Sequence, residues 1–228
     1  MSVKIKTADN SGDHYLFGLI AGNPGLGKTT QATTFPQKKT LIISVEDGLL
    51  SIRGSNYAYV EINSYDELMD VLEGIDKIAP WAEYVYIDSL TEIYDVLKHE
   101  LKGKYKPSQN FQKHDEMQDK MLHAIRTARK IKRHVFFTCH VKTDKDGMTM
   151  VQNLAFDGKL GILVLKQFDL SLHLDMVDND EGKEERMFIT SPELSKIAKR
   201  RLSPWIKESL EDFEEPNLYN VCQKLLGK

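Results

Sequence analysis

The sequence predicts an α/β fold: a single domain over residues 1–228, with a mainly parallel central sheet flanked by helices and a β-hairpin toward the C-terminal end. Three observations predict it. From Tyr15 to His140, apolar runs of strand length alternate with segments of helical period, the pattern of strand–helix–strand units. A glycine-rich turn separates the first such run from the helical segment after it, the arrangement found at the carboxyl edge of a parallel sheet. Past His140 the alternation changes, and two runs flank the turn "NDEG" (179–182), which signals a hairpin.

Each element follows from its local pattern. "YLFGLIAG" (15–22) is a buried strand, and the turn after it leads into a helix from about Gly27 to Phe35. "KTLIISVE" (39–46) and "YAYVEI" (57–62) are the next strands. "SYDELMDVLEGIDKIA" (64–79) opens on a serine cap and carries Leu, Met, Val and Ile at helical spacing. "EYVYID" (83–88) is a strand, "SLTEIYDVLKHEL" (89–101) a helix, and "KGKYKPSQNFQK" (102–113) a loop. A long helix over 114–133 precedes the buried strand "HVFFTCH" (134–140). "DLSLHLDMVD" (169–178) and "EERMFIT" (184–190) form the hairpin. An acidic stretch (208–215) and a last helix, "NLYNVCQKLLG" (217–227), complete the chain. No repeat, low-complexity tract or linker divides the sequence, and 228 residues suffice for one well-buried core.

Composition narrows the function. Hydrophobic residues make up 41% and charged residues 29%, the profile of an ordinary globular protein. A net charge of −3 gives no global attraction to nucleic acid, so any such contact must be local. Cys139 and Cys222 are too few and too distant for a disulfide framework or a four-ligand zinc site, which fits a reducing cytoplasm. The N-terminal stretch lacks an apolar core of signal-peptide length, and no apolar run is long enough to span a bilayer, so no membrane association is expected.

"GNPGLGKTT" fits the phosphate-loop pattern through Gly22, Gly27, Lys28 and Thr29. Its glycines let the backbone curl so that the N–H groups of Gly22, Asn23, Gly25, Leu26, Gly27, Lys28, Thr29 and Thr30 would surround phosphate oxygens, with Pro24 lining the loop without an N–H; the following helix adds its positive end. Lys28 would reach the β- and γ-phosphates, and Thr29 would hold Mg²⁺ by its hydroxyl. Asp88 ends a neighbouring strand and would bind the Mg²⁺ through water, unless it caps the helix starting near Ser89. In many nucleotide hydrolases a glutamate follows that aspartate and activates water; here Ser89 stands there. Glu46, at the end of "LIISVE", would lie on the same sheet edge and is the candidate base. Its alternative, with Asp47, is an acidic start to the helical turn at "GLLSI".

The order "GNPGLGKTT", "LIISVEDGL", "YVYIDSLTE", "VFFTCHVK" resembles the RecA-like P-loop NTPase core, in particular the short phage-encoded RecA-like ATPases of single-strand annealing and recombination. The resemblance covers roughly residues 15–201 and lacks the separate N-terminal polymerisation domain of larger recombinases. It implies an ATPase that uses ATP and Mg²⁺ and places its activating glutamate at the end of the strand after the first helix, the position of Glu46. It also implies a polar γ-phosphate sensor at the end of the strand beside Asp88: His140, with Thr138 as the alternative, or in the plainer reading simply a polar strand end. Lys199 and Arg201 in "AKRRL" have the spacing of two basic residues that such proteins place against a neighbouring subunit's nucleotide; a solvated basic turn is the alternative. The partners implied are single-stranded DNA, further copies of the chain with ATP at subunit interfaces, and a single-strand-binding protein. For a phage-encoded chain the setting is the bacterial host's cytoplasm.

Three segments could touch DNA: 98–113, with lysines interleaved with Tyr105 and Phe111; 141–156, after the sensor strand; and the basic helix end 126–133. Taken singly, each reads better as a solvated loop or face, and DNA binding rests mainly on the resemblance. Two other functions stay open: a nucleotide-gated regulatory or assembly ATPase without DNA, and a P-loop small-molecule kinase.

Overall fold

A computed structural model describes residues 14–45, 49–146, 149–179, 181–200 and 210–227. Strands β1 (Phe17–Gly22), β2 (Thr40–Ser44), β3 (Ala58–Glu61), β4 (Tyr84–Asp88), β5 (His134–Asp146), β6 (Thr149–Leu154), β7 (Leu170–Asp178), β8 (Glu184–Ile189), β9 (Lys199–Arg200) and β10 (Phe213–Glu214) join one sheet. Its order is β10-β8-β7-β1-β5-β4-β2-β3, with β6 paired to β5 and β9 to β7. From β7 to β3 along this order every pairing is parallel, while β8 and β10 add antiparallel edges. The mainly parallel sheet and the hairpin are therefore as the sequence predicts.

Helices cover both faces. One face packs α1 (Tyr65–Ile78), α2 (Leu90–Glu100), α3 (Asn110–Lys130) and α4 (Leu160–Leu165) over Leu19, Ile43, Val85, Ile87 and Phe137. The other packs Ala32, Phe35 and α5 (Leu218–Leu226) over Ile20, Ile42, Tyr86, Phe136, Leu172 and Leu174. Buried on both faces, the central strands read as continuous apolar runs rather than alternating ones, which is why they were visible in the sequence.

Three elements depart from the sequence reading. The helix expected over 27–35 is a short 3-10 turn, Thr29–Thr34. The hydroxyls of Thr30, Thr33 and Thr34 each donate to the carbonyl three residues back, at 2.7 to 2.8 Å, which competes with α-helical bonding. The loop expected over 102–113 gives way to α3 at Asn110, after a turn led by Pro107; Phe111 is 76% exposed there, so no apolar stripe marks the start. Strand β5 does not stop at His140 but runs on to pair antiparallel with β6. Asp146–Gly147 was its legible signal, a dipeptide that favours two-residue hairpin turns. "LGILVL", an apolar run to which the sequence reading assigns no element, forms α4 and packs against α3 and β6.

Candidate active site

The strand order assembles the site. Strand β5 lies between β1, which ends at the phosphate loop, and β4, which ends at Asp88. Gly22 is in register with His140 on β5 and with Leu174 on β7. A methyl group on Gly22 would sit 2.4 Å from the Leu174 carbonyl oxygen, so the close approach of β7 requires glycine at the start of the loop. Gly25 and Gly27 take positive φ, 81° and 85°, and let the chain from Asn23 through Pro24 and Leu26 fold back over the strand end.

Lys28 is buried, and its ammonium donates to the carbonyls of Gly22 and Asn23, both at 3.0 Å. His140 Nδ1 lies 3.1 Å from the same nitrogen. An ammonium can only donate, so Nδ1 is the acceptor and the neutral ring carries its proton on Nε2. Burial first, and then the Lys28 charge, push the His140 pKa below its ordinary value, against the opposing pull of Asp88. Lys28, His140 and Asp88 thus share one electrostatic environment. The His140 backbone N–H donates to Thr91 Oγ1 at 2.9 Å, which fixes the end of the strand core against α2.

Asp88 is buried at the tip of β4 and accepts a hydrogen bond from the Thr138 hydroxyl on β5. It is not the cap of α2. That task falls to Ser89, whose hydroxyl accepts from the Glu92 N–H at 3.3 Å. The Asp88–Ser89 peptide is cis. Ser89 is buried and tied into the helix start, so the position that holds a glutamate in many hydrolases serves the fold here. Tyr86, two residues before Asp88, donates its hydroxyl to the Lys28 carbonyl at 2.6 Å. Its complete burial raises the phenol pKa well above the usual value and keeps it a donor. Nothing in the apolar run "YVYID" singled out Tyr86 for this contact, nor did Thr91 stand out in its helix.

The donor set fits a magnesium ion bound mainly by phosphates and water. Among the described residues no group of three or more His, Cys, Asp or Glu side chains could enclose a metal. Thr138 engages Oδ1 of Asp88, and the Thr29 hydroxyl has no hydrogen-bond partner among the described residues. One carboxylate and one hydroxyl beside a phosphate loop suit Mg²⁺, which keeps several waters. Because the segment after Lys28 is a 3-10 turn of six residues, a bound phosphate would meet chiefly the loop N–H groups and Lys28 rather than a helix end.

The remaining predicted residues are not all brought to this edge. Glu46 lies outside the described residues; its neighbour Val45 donates its N–H to the Asp88 carbonyl at 2.8 Å. Arg201 also lies outside them. Lys199 pairs across from Ser171 near the amino end of β7, the opposite sheet edge from the phosphate loop. Its ammonium is bound by the carbonyls of Leu165, Lys166 and Phe168, at the end of α4. Among the candidate DNA segments, several cations are paired within the chain: Lys98 with Asp157, Lys104 with Glu116, Arg129 with Asp169, Arg133 with Asp76 and Lys142 with Asp144. No described helix is long and apolar enough to cross a membrane.

Residues 15–202 match the family described as an AAA domain, AAA_24. A comparison with curated proteins gave no match. The match spans most of the chain and begins just before the strand that leads into the phosphate loop. The chain therefore belongs to the AAA_24 family: it is an AAA-type, P-loop ATPase-like domain, which points to nucleotide binding and hydrolysis.

Proposed function

We propose that the chain is a Mg²⁺-dependent ATPase that acts on single-stranded DNA in recombination or annealing, as an oligomer with ATP between subunits. The observation that carries the ATPase reading is the convergence of buried Lys28, Thr138-bound Asp88 and His140 beside the phosphate loop, with Ser89 committed to capping α2. Lys28 would move its ammonium from the loop carbonyls to the β- and γ-phosphates. Thr29, and Asp88 through water, would hold Mg²⁺, which when bound neutralises charge on the phosphoryl group being transferred. Glu46 would accept a proton from the attacking water. The bond from Val45 to Asp88 favours this assignment, since it ties the chain next to Glu46 to the metal-facing strand. His140 and Thr138 would register the γ-phosphate through their contacts with Lys28 and Asp88.

Arg201 of a neighbouring subunit would supply the trans-acting cation. Lys199 suits a supporting role, because withdrawing it would strip three carbonyls of their donor. The DNA reading rests on the resemblance to recombination ATPases and on two features. Lys102, Lys106, Lys113 and exposed Phe111 form a basic, aromatic stretch. The β5–β6 hairpin extends from the same strand end as His140 and bears Lys142, Lys145 and exposed Met150.

The test is the ATPase rate with and without single-stranded DNA. Clear stimulation is expected. A DNA-indifferent ATPase would instead indicate a nucleotide-gated regulatory protein, and phosphate transfer to a metabolite would indicate a kinase.

A further inference from the structure

The geometry points to Arg186 as a positioning residue that acts within its own subunit to aim a phosphate-loop N–H at bound nucleotide. This rests on the nucleotide-binding reading above.

The sheet brings Arg186 to the loop. Gly22 on β1 faces Leu174 on β7, so β7 runs beyond the point where β1 turns into the loop. Met176, in that extension, faces Arg186 on β8. The far end of the hairpin therefore lies alongside the phosphate loop, and Arg186 Nη1 donates to the Leu26 carbonyl at 3.1 Å. The guanidinium also lies over the open side of Gly27: a methyl group there would come within 2.7 Å of Nη1. Gly27 is required for its positive φ, and the side it leaves open is where the Arg186 guanidinium lies.

The consequence follows from peptide geometry. The Leu26–Gly27 peptide is not among the cis bonds, so its C=O and N–H point to opposite sides of a plane. A charged donor that holds the Leu26 carbonyl outward directs the Gly27 N–H the opposite way, into the cradle. Arg186 is exposed and has no carboxylate partner among the described residues, so neither core packing nor ion pairing accounts for an arginine at this place. Its neighbour Glu185 is engaged by Asn179 at 2.7 Å and, one residue along the strand, faces the other side of the sheet.

The experiment measures MgATP affinity by titration calorimetry, together with kcat, for wild type, Arg186→Ala and Arg186→Lys, with melting temperature as a control for folding. Arg186→Ala should raise Kd by about five- to tenfold, the scale of one charged hydrogen bond at an exposed site, with kcat within about twofold of wild type. Arg186→Lys, which keeps a charged donor on a long stem but not the planar guanidinium, should recover part of the loss. A Kd for Arg186→Ala within about twofold of wild type, or a fall in kcat at unchanged Kd, overturns the assignment. If wild type itself binds no nucleotide, the nucleotide-binding reading fails and this inference fails with it.

Discussion

Tyr86 shows how a single hydroxyl ties the core to the phosphate loop. Its O–H reaches the Lys28 carbonyl from a fully buried ring, while the Gln31 N–H donates to the same oxygen at 3.0 Å. Tyr86→Phe should lower unfolding free energy by about 1 kcal/mol, because the carbonyl keeps one of its two donors. A denaturant midpoint that falls at unchanged slope would bear this out; an unchanged midpoint would show that the contact contributes nothing. His140 gives a pH dependence of definite sign. Its pKa is lowered from 6.5, chiefly by burial, and that of His173 is lowered likewise by burial. Between the folded and unfolded values the unfolded chain binds more protons, so stability is intact above 6.5 and declines as pH falls below it. The melting temperature should therefore drop between about pH 7.5 and about pH 5.5, and by less in His140→Asn. A drop of equal size in that variant would remove His140 as a contributor. The phosphate-loop residues and Asp88 were legible because their chemistry follows a local pattern. Tyr86 was not, because its partner is 58 positions away and its apolar neighbours only mark it as core.

At the scale of elements, α1 was the most legible helix. Ser64 accepts from the Glu67 N–H at 3.2 Å, and Glu67 in turn accepts from the Asn63 N–H at 2.7 Å, close to the reciprocal cap that the sequence suggests. Ser64→Ala should cost about 1 kcal/mol of stability and leave MgATP affinity unchanged, as read by thermal melts and calorimetry. A loss of affinity would mean that α1 couples to the site in a way its position does not indicate. Other elements were obscured for specific reasons. In the segment after Lys28 three threonine hydroxyls bond back to carbonyls of the same 3-10 turn, a competition that the sequence pattern alone did not reveal. Conversely, β6 carries the polar residues Thr149, Gln152 and Asn153, so its pairing with β5 was signalled by the turn dipeptide rather than by hydrophobicity. Local propensity and tertiary packing agree in α1.

For the whole molecule, the parallel order places the ends of β1, β5, β4 and β2 along one edge, and the proposed mechanism draws on all four. The rule that ligands bind at the carboxyl ends of parallel strands made this edge predictable from the alternation of runs alone. What could not be predicted is which distant side chain approaches the edge from outside: Arg186 and Leu26 are 160 positions apart, and only the register of β7 against β1 and β8 brings them together. The same topology separates Lys199 from the phosphate loop of its own subunit, so a catalytic cation from that segment would have to serve a neighbour. In the proposed mechanism the water-activating carboxylate is that of Glu46, two residues past β2, because the residue after Asp88 caps a helix. The most direct test is single-turnover ATP hydrolysis by Glu46→Gln alongside its ATP affinity. Near-wild-type binding is expected, with hydrolysis slowed by about a hundredfold or more, the scale of a lost general base. Hydrolysis at the wild-type rate would contradict it and move the base elsewhere.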